Sequence, residues 1–362
     1  MIKYLGSKKR FLPTLGAMLT ATEAETALDL FTGTTRVAQE FKRRGAEVTA
    51  VDTAVYSKVL AEAYVSTDAL AVNKDDLASA IAELNAMPGT PGYFTETFCV
   101  QSRYFQPKNG ARVDAIRDHI ERTYRGSSLY PILLSELMLA TDRVDSTTGV
   151  QMAYLKQSAP RANKDLHLRM PELIPGPGRS IRGDARTVAG ELETVDLAYL
   201  DPPYNQHRYF TNYHIWETLV RWDAPEHYGI ACKRIDSRDE GTKSPYNSRK
   251  TMPAELRATI AAVNARTLVV SYNNESWVSA DELLEWSAEG RETAELLAFD
   301  SKRYVGAQIG IHNPSGKKVG KVSHLRNLEY VVVAGSESDV RRAVAAAPGQ
   351  SVDKEVRVWK TR

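Results

Sequence analysis

The sequence contains few cysteines and no long apolar run. Its two cysteines, Cys99 and Cys232, lie far apart and form neither a metal-ligand spacing nor a disulfide framework, which is typical of a protein in a reducing compartment. No apolar stretch approaches the length of a membrane span, and the amino terminus lacks the charged-then-apolar pattern of a signal peptide. These absences predict a cytoplasmic protein without a metal site.

An excess of charge of one sign is also lacking. The 362 residues include 47 Lys and Arg against 45 Asp and Glu, so the net charge is only +2. Overall charge therefore does not indicate a polyanionic partner, and any binding of nucleic acid must depend on local clusters of cations. The length exceeds the usual size of a single hydrophobic core, which predicts a main domain with a substantial insertion.

The most informative stretch is a short apolar run, Leu197 to Leu200, that ends in Asp201, Pro202, Pro203 and Tyr204. The run predicts a buried parallel strand, and the prolines exclude a helical continuation. Ligands of open α/β sheets bind beyond the carboxyl ends of the strands, where this loop would lie. The carboxylate and the proline carbonyls would accept two hydrogens from an aromatic amine, and the ring could stack on it. The alternative is a rigid turn with a solvated aspartate.

A nucleotide-binding unit is predicted near the amino terminus. Thr26–Phe31 is typical of a strand, Thr32 to Thr35 of a turn, and Arg36–Arg44 of an amphipathic helix. The turn has a single glycine, which disfavours a dinucleotide, and the adjacent Asp29 would repel a pyrophosphate but attract a sulfonium.

The next predicted strand, Val48 to Asp52, ends in an acid about 20 residues after the turn, a position suited to binding ribose hydroxyls. Together these features predict S-adenosyl-L-methionine as the cofactor.

These motifs, in this order, resemble the alpha group of DNA adenine-N6 methyltransferases. The resemblance covers most of the chain. It includes the amino-terminal Lys-Tyr-Leu-Gly-Ser-Lys from Lys3 to Lys8, the Asp-Leu-Phe-Thr-Gly-Thr from Asp29 to Thr34, the strand-terminal Asp52 and the Asp-Pro-Pro-Tyr loop. The sequence departs from the family at one position of the turn, where Thr35 occupies the place of a second glycine. Glycine tolerates a positive φ, whereas a β-branched residue disfavours it.

The resemblance implies a Rossmann-like, seven-stranded α/β sheet with an inserted helical target-recognition domain. The expected parts are residues 1–74, the insertion 75–179 and residues 180–362. The catalytic residues it implies are Asp201, Pro202, Pro203 and Tyr204. The cofactor-binding residues are Tyr4, Lys8, Asp29, Phe31, Gly33, Thr35, Asp52, Asp184 and Asp201.

The insertion is predicted to contain helices at Asp75–Met87, Arg112–Tyr124 and Pro131–Val144. Aromatic and basic residues alternate in Gln101–Gly110, which favours DNA recognition over a plain helical cap. A second aromatic segment, Asn205–Trp216, is a candidate to contact a flipped base.

Two basic stretches are candidate DNA contacts. Lys302 to Arg326 contains no acid and surrounds an Asn-Pro-Ser-Gly turn, which predicts a hairpin that presents cations to phosphate. Lys233 to Lys250 has the composition of a loop. The alternative for both is a solvated surface. The predicted DNA-binding residues are Lys243, Arg249, Lys317, Lys318, Lys321 and Arg326.

The predicted reaction is methyl transfer from S-adenosyl-L-methionine to the N6 amine of an adenine flipped out of duplex DNA. An RNA adenine methyltransferase and a non-catalytic nucleic-acid-binding subunit are the alternatives. A cytosine-N4 enzyme is disfavoured because that class typically has Ser at the position of Asp201. The sequence leaves open whether a cognate restriction endonuclease exists.

Overall fold

A computed structural model describes residues 2–4, 6, 8–155, 157–206, 208–302, 326–347 and 356–360. The described α-helices are α1 (Leu12–Ala21), α2 (Arg36–Arg43), α3 (Val55–Ala61), α4 (Lys74–Ala86), α5 (Tyr93–Thr95), α6 (Pro107–Tyr124), α7 (Tyr130–Arg143), α8 (Ala185–Glu191), α9 (Tyr209–Asn212), α10 (His214–Arg221), α11 (Met252–Ala262), α12 (Ala280–Ala288) and α13 (Glu337–Ala346). The described strands are β1 (Thr26–Asp29), β2 (Glu47–Asp52), β3 (Gly178–Arg182), β4 (Val195–Leu200), β5 (His227–Tyr228), β6 (Lys233–Arg234), β7 (Ala265–Asn273), β8 (Thr293–Lys302), β9 (Arg326–Gly335) and β10 (Val356–Lys360).

The main sheet has the strand order β10-β8-β9-β7-β4-β1-β2-β3. The pairs β1/β4, β4/β7 and β2/β3 are parallel, whereas β9 pairs antiparallel with both β7 and β8. The predicted Rossmann-like α/β class is confirmed. The sheet contains the expected seven strands, and β10 adds an eighth by pairing antiparallel with β8 at the edge.

The chain divides into two compact units. The first unit comprises Met1–Lys9, Thr32–Asp184 and His207–Ser244, and the second comprises Arg10–Phe31, Ala185–Gln206 and Pro245–Arg362. The predicted domain boundaries at residues 74/75 and 179/180 stay a prediction.

The second unit is built around β4 and β7, most of whose residues are buried. Such burial is typical of strands covered on both faces of a sheet. Asp201 follows β4, and Pro202 and Pro203 then prevent its continuation, because they supply no N–H for a further ladder bond.

The first unit has a largely helical core. The rings of Phe94, Phe98, Phe105 and Trp216 pack together in it, with centroid separations of 5.1 to 6.4 Å between neighbours. Tyr104 and Phe105 are buried in this core. The aromatic residues of the segment predicted to recognise DNA are therefore core residues, whereas the preceding Arg103 is exposed.

Helix α6 begins five residues before the predicted Arg112. Pro107 occupies its first turn, where a missing N–H costs nothing. Asn109 and Gly110, which lie outside the predicted helix, are helical and buried. Gly110 is required there because a Cβ would collide with the Cys99 sulfur.

Candidate active site

The predicted catalytic loop lies at the carboxyl end of β4 in the second unit. Pro202 is buried, whereas Asp201, Pro203 and Tyr204 are partly exposed. The Tyr204 ring meets the ring of Tyr272 edge-on, with centroids 6.3 Å apart. A rigid backbone thus presents a carboxylate, carbonyl oxygens and an aromatic ring at the end of a buried strand.

The end of β1 lies beside this loop in the same unit. Asp29 pairs in register with Tyr199, and the Leu30 amide donates to the Tyr199 carbonyl at 3.0 Å. Asp29 is 1% exposed. Phe31 packs edge-on against Tyr246 at 5.1 Å. Because β1 and β4 are parallel, Asp29 and Asp201 lie at the same edge of the sheet.

The glycine turn and the acid at the end of β2 are joined in the first unit. Asp52 Oδ2 accepts from the Gly33 amide at 2.8 Å, and Asp52 Oδ1 accepts from the Ala54 amide at 3.0 Å. Burial raises the pKa of the Asp52 carboxyl, and these hydrogen bonds oppose the shift. The acid predicted to bind ribose therefore also organises the turn.

Thr35 adopts the left-handed backbone that the glycine at its position in related turns would favour. Its φ is 61° and its ψ is 16°, and its side chain is fully buried. The Thr35 hydroxyl accepts from Gln39 Nε2 at 2.8 Å. The departure from glycine thus leaves the turn intact, at the cost of a strained residue.

The Tyr4 ring lies over the glycine turn. A Cβ built on Gly33, whose φ is 51°, would lie 3.1 Å from the Tyr4 ring, so only glycine permits this approach. Tyr4 stacks on Tyr213 at 4.6 Å and on Tyr209 at 5.4 Å, and its hydroxyl lies 3.4 Å from the Tyr56 hydroxyl. Burial raises the pKa of both Tyr4 and Tyr56, so both phenols stay protonated.

Sequence analysis did not predict this stack of three tyrosines. The four-residue spacing of Tyr209 and Tyr213, which places both rings on one helical face, is the signal that could have revealed it. In the Asn205–Trp216 segment, Tyr213, His214 and Trp216 are at most 2% exposed and pack in the core. Contact of the rest of the segment with a flipped base stays a prediction.

The other predicted cofactor residues lie in the first unit. Asp184 follows β3 and is exposed. It lies at the same edge as Asp52, since Asp52 pairs in register with Arg182 and the Gly183 amide donates to the Asp52 carbonyl at 3.1 Å. Lys8 is only 7% exposed, in a 3₁₀ turn.

The predicted DNA contacts are only partly described. Lys317, Lys318 and Lys321 lie outside the described residues, and Arg326 begins β9. Lys243 is exposed and forms an ion pair with Glu240, and Arg249 is exposed. The roles of all six residues stay predictions.

Among the described residues, no helix is long and apolar enough to cross a membrane. The same part of the chain contains no group of three or more His, Cys, Asp or Glu side chains arranged to hold a metal ion.

Comparison with known proteins identifies similar sequences. Residues 4–283 match the family described as D12 class N6 adenine-specific DNA methyltransferase. The chain is 30% identical to the Type II methyltransferase M.NlaIII of Neisseria lactamica over 268 residues, which cover 71% of this chain and 77% of that protein. It is 29% identical to the modification methylase StsI of Streptococcus sanguinis over 312 residues, 80% of this chain. The chain spans about half of StsI, 47% of its length.

Proposed function

Because the chain belongs to the family of D12 class N6 adenine-specific DNA methyltransferases, we propose that it transfers a methyl group from S-adenosyl-L-methionine to the N6 amine of an adenine flipped out of duplex DNA. The observation that carries this proposal is the Asp201-Pro202-Pro203-Tyr204 loop at the carboxyl end of the buried strand β4. The proposal explains why hydrogen-bond acceptors and an aromatic ring lie together in this loop. The proposed methyl transfer needs neither a metal ion nor a covalent nucleophile from the protein.

The residues around the glycine turn fit S-adenosyl-L-methionine. We assign the ribose hydroxyls to Asp52, whose carboxylate lies at the end of β2 and accepts from the Gly33 and Ala54 amides of the turn. Tyr4 would cover the cofactor from above the turn, and the buried Asp29 carboxylate would favour a sulfonium through its charge. Phe31, Thr35, Lys8 and Asp184 are further members of the proposed site. When bound, the cofactor supplies an electrophilic methyl group on sulfur.

Asp201 and the Pro202 carbonyl would accept the two hydrogens of the adenine amine. The amine is a poor nucleophile because its lone pair is delocalised into the ring, and these acceptors favour a pyramidal nitrogen and stabilise the positive charge that develops on it. Pro203 keeps the loop rigid, and the Tyr204 ring stacks on the base with about 1 to 3 kcal/mol. Asp201 then accepts the proton that becomes acidic after transfer.

We further propose that residues 75–179 recognise the target sequence and that the substrate is duplex DNA rather than RNA. The related modification methylases suggest a cognate restriction endonuclease as a partner. A cytoplasmic location suits both a DNA substrate and the two free cysteines.

Transfer of labelled methyl groups to duplex DNA, compared with structured RNA, tests the proposal. We expect label in DNA, and sequencing should locate it at adenines within one recognition sequence. Asp201→Ala should lower transfer at least about a hundredfold, the loss expected for one group directed at developing charge, with cofactor binding nearly unchanged.

Asp52→Ala is the reciprocal variant. It should weaken cofactor binding, measured by calorimetry, by about 1.5 to 3 kcal/mol through loss of a charged acceptor, with a smaller effect on transfer at saturating cofactor. Label in RNA alone, or full activity of Asp201→Ala, would contradict the proposal.

A further inference from the structure

Arg208 has two buried guanidinium nitrogens without a hydrogen-bond partner. Both Nε and Nη2 are inaccessible to solvent, and neither finds an acceptor within the part of the chain that the structure describes. Buried donors are nearly always satisfied in proteins, and a buried cation is costly unless it is paired. The unpaired state of Arg208 therefore requires an explanation.

Two other buried arginines of the same unit have partners for their guanidinium groups. Arg234 forms a bidentate ion pair with Asp223, with both N–O distances 2.7 Å, and a second pair with Asp236. Arg117 donates to the carbonyls of Leu219 and Val220 and to Glu121. Arg36 and Arg112 each leave one buried guanidinium nitrogen, Nε, without a partner among the described residues, whereas Arg208 leaves two.

The position of Arg208 indicates what its partner is. It follows Tyr204 of the catalytic loop by four residues, so the covalent chain alone keeps their Cα atoms within about 14 Å. Its backbone is fixed, because the Arg208 carbonyl accepts from the Asn212 amide at 2.9 Å and the next residue, Tyr209, stacks on Tyr4. A substrate base in the catalytic loop brings its own backbone phosphates, and a planar guanidinium fork matches a phosphate through two parallel hydrogen bonds.

We propose that Arg208 binds an oxyanion and that this oxyanion is a phosphodiester of the strand carrying the target adenine. The assignment rests on the proposed function. The contact would hold the flipped nucleotide by its backbone, independently of sequence. Arg208 is a positioning residue in this proposal, since it touches the backbone rather than the reacting amine. The methionine carboxylate of the cofactor is the other oxyanion available, and the experiment separates the two.

The test compares Arg208→Gln with the wild type. Binding to a duplex with the recognition sequence should weaken roughly 10- to 100-fold, as expected for lost charge-assisted hydrogen bonds. The slope of log affinity against log salt should fall by about 0.9. A neutral methylphosphonate at one linkage beside the target adenine should weaken the wild type by a similar factor and leave Arg208→Gln unaffected. Arg257→Gln is the control, because it removes an exposed guanidinium already paired with Glu289, and its DNA affinity should not change.

Two further measurements separate the alternatives. Affinity for S-adenosyl-L-methionine alone should be unchanged in Arg208→Gln; a loss confined to the cofactor would assign Arg208 to the methionine carboxylate and overturn the phosphate contact. The unliganded variant should unfold at the same temperature as the wild type or a higher one, because an unpaired buried charge has been removed. A lower unfolding temperature with unchanged DNA affinity would make Arg208 structural. If wild-type protein methylates no DNA, the proposed function fails; if it does and Arg208→Gln binds normally, only this inference fails.

Discussion

At the scale of the residue, Thr35 shows how one side chain can replace a favoured glycine. A non-glycine residue in the left-handed region costs on the order of 1 to 3 kcal/mol, and β-branching adds to the strain. The hydroxyl offsets part of this cost, since it accepts from Gln39 Nε2 at 2.8 Å. The residue is therefore stabilised by a bond that glycine could not form.

This balance predicts different effects for two substitutions of Thr35. Thr35→Val keeps the shape and the backbone strain but removes the acceptor, so it should lower the free energy of unfolding by about 1 kcal/mol. Thr35→Gly loses the same bond but relieves the strain, so it should remain close to the wild type. Urea denaturation measures both values. Equal losses in the two variants would show that the left-handed backbone carries no strain here.

At the scale of the element, the sequence predicts the bounds of the core strands better than the start of helix α6. The core strands β1, β2 and β4 were predicted within about two residues because buried parallel strands are largely apolar runs. The start of α6 was not predicted, because the need for Gly110 comes from a contact with Cys99 in another element.

The candidate site shows the same limit. The loop Asp201 to Tyr204 and the acid Asp52 are visible in the sequence because each ends an apolar run. The stacking of Tyr4 on Tyr213, and the unpaired donors of Arg208, depend on which distant segments meet in the fold. Local patterns contain no record of such contacts, so they did not separate the core residues Tyr213 and Trp216 from the partly exposed Tyr209 and Phe210.

The start of α10 provides a prediction about pH. His214 is fully buried, and its Nε2 lies 2.9 Å from the Gln151 carbonyl, to which it donates when neutral. Burial lowers the pKa of His214 to about 3. Between that pH and about 6.5 the unfolded chain binds a proton that the native state does not, so this contribution to stability is complete above pH 6.5 and falls as the pH falls.

His214→Gln should remove this dependence while keeping a donor for the Gln151 carbonyl. On lowering the pH from 6.5 to 5, the wild type should lose about 2 kcal/mol more unfolding free energy than the variant does. Urea denaturation at the two pH values gives the comparison. His167→Gln, at an exposed histidine, is the control and should keep the wild-type dependence. Identical pH dependences for the wild type and His214→Gln would show that the buried imidazole takes up a proton in the native state.

At the scale of the whole molecule, the balance of charge determines how DNA binding must be achieved. The net charge of +2 gives little general attraction to a polyanion, so affinity has to come from cations placed at phosphates. Many exposed cations of the described residues are already paired: Lys58 with Glu62, Arg257 with Glu289 and Arg342 with Asp339. The stretch from Lys302 to Arg326 itself contains no acid.

The last prediction separates local cations from net charge. Replacing Lys317, Lys318 and Lys321 by Gln takes the net charge from +2 to −1. If all three touch phosphates, DNA binding should weaken for every sequence, and the slope of log affinity against log salt should flatten by up to about 2.7, at roughly 0.9 per contact. The methylated sequence should not change, because phosphate contacts position the protein and base contacts specify the site.

A triple variant of Lys58, Arg257 and Arg342 is the matched control, since it removes the same charge from residues already held in ion pairs. Its salt slope should equal that of the wild type. Equal flattening in both triple variants would mean that net charge, rather than the basic stretch, governs DNA binding. An altered recognition sequence in the variant of Lys317, Lys318 and Lys321 would assign base recognition to the basic stretch instead of residues 75–179. A residue that changes the chosen sequence must contact base edges or impose a sequence-dependent deformation on the DNA.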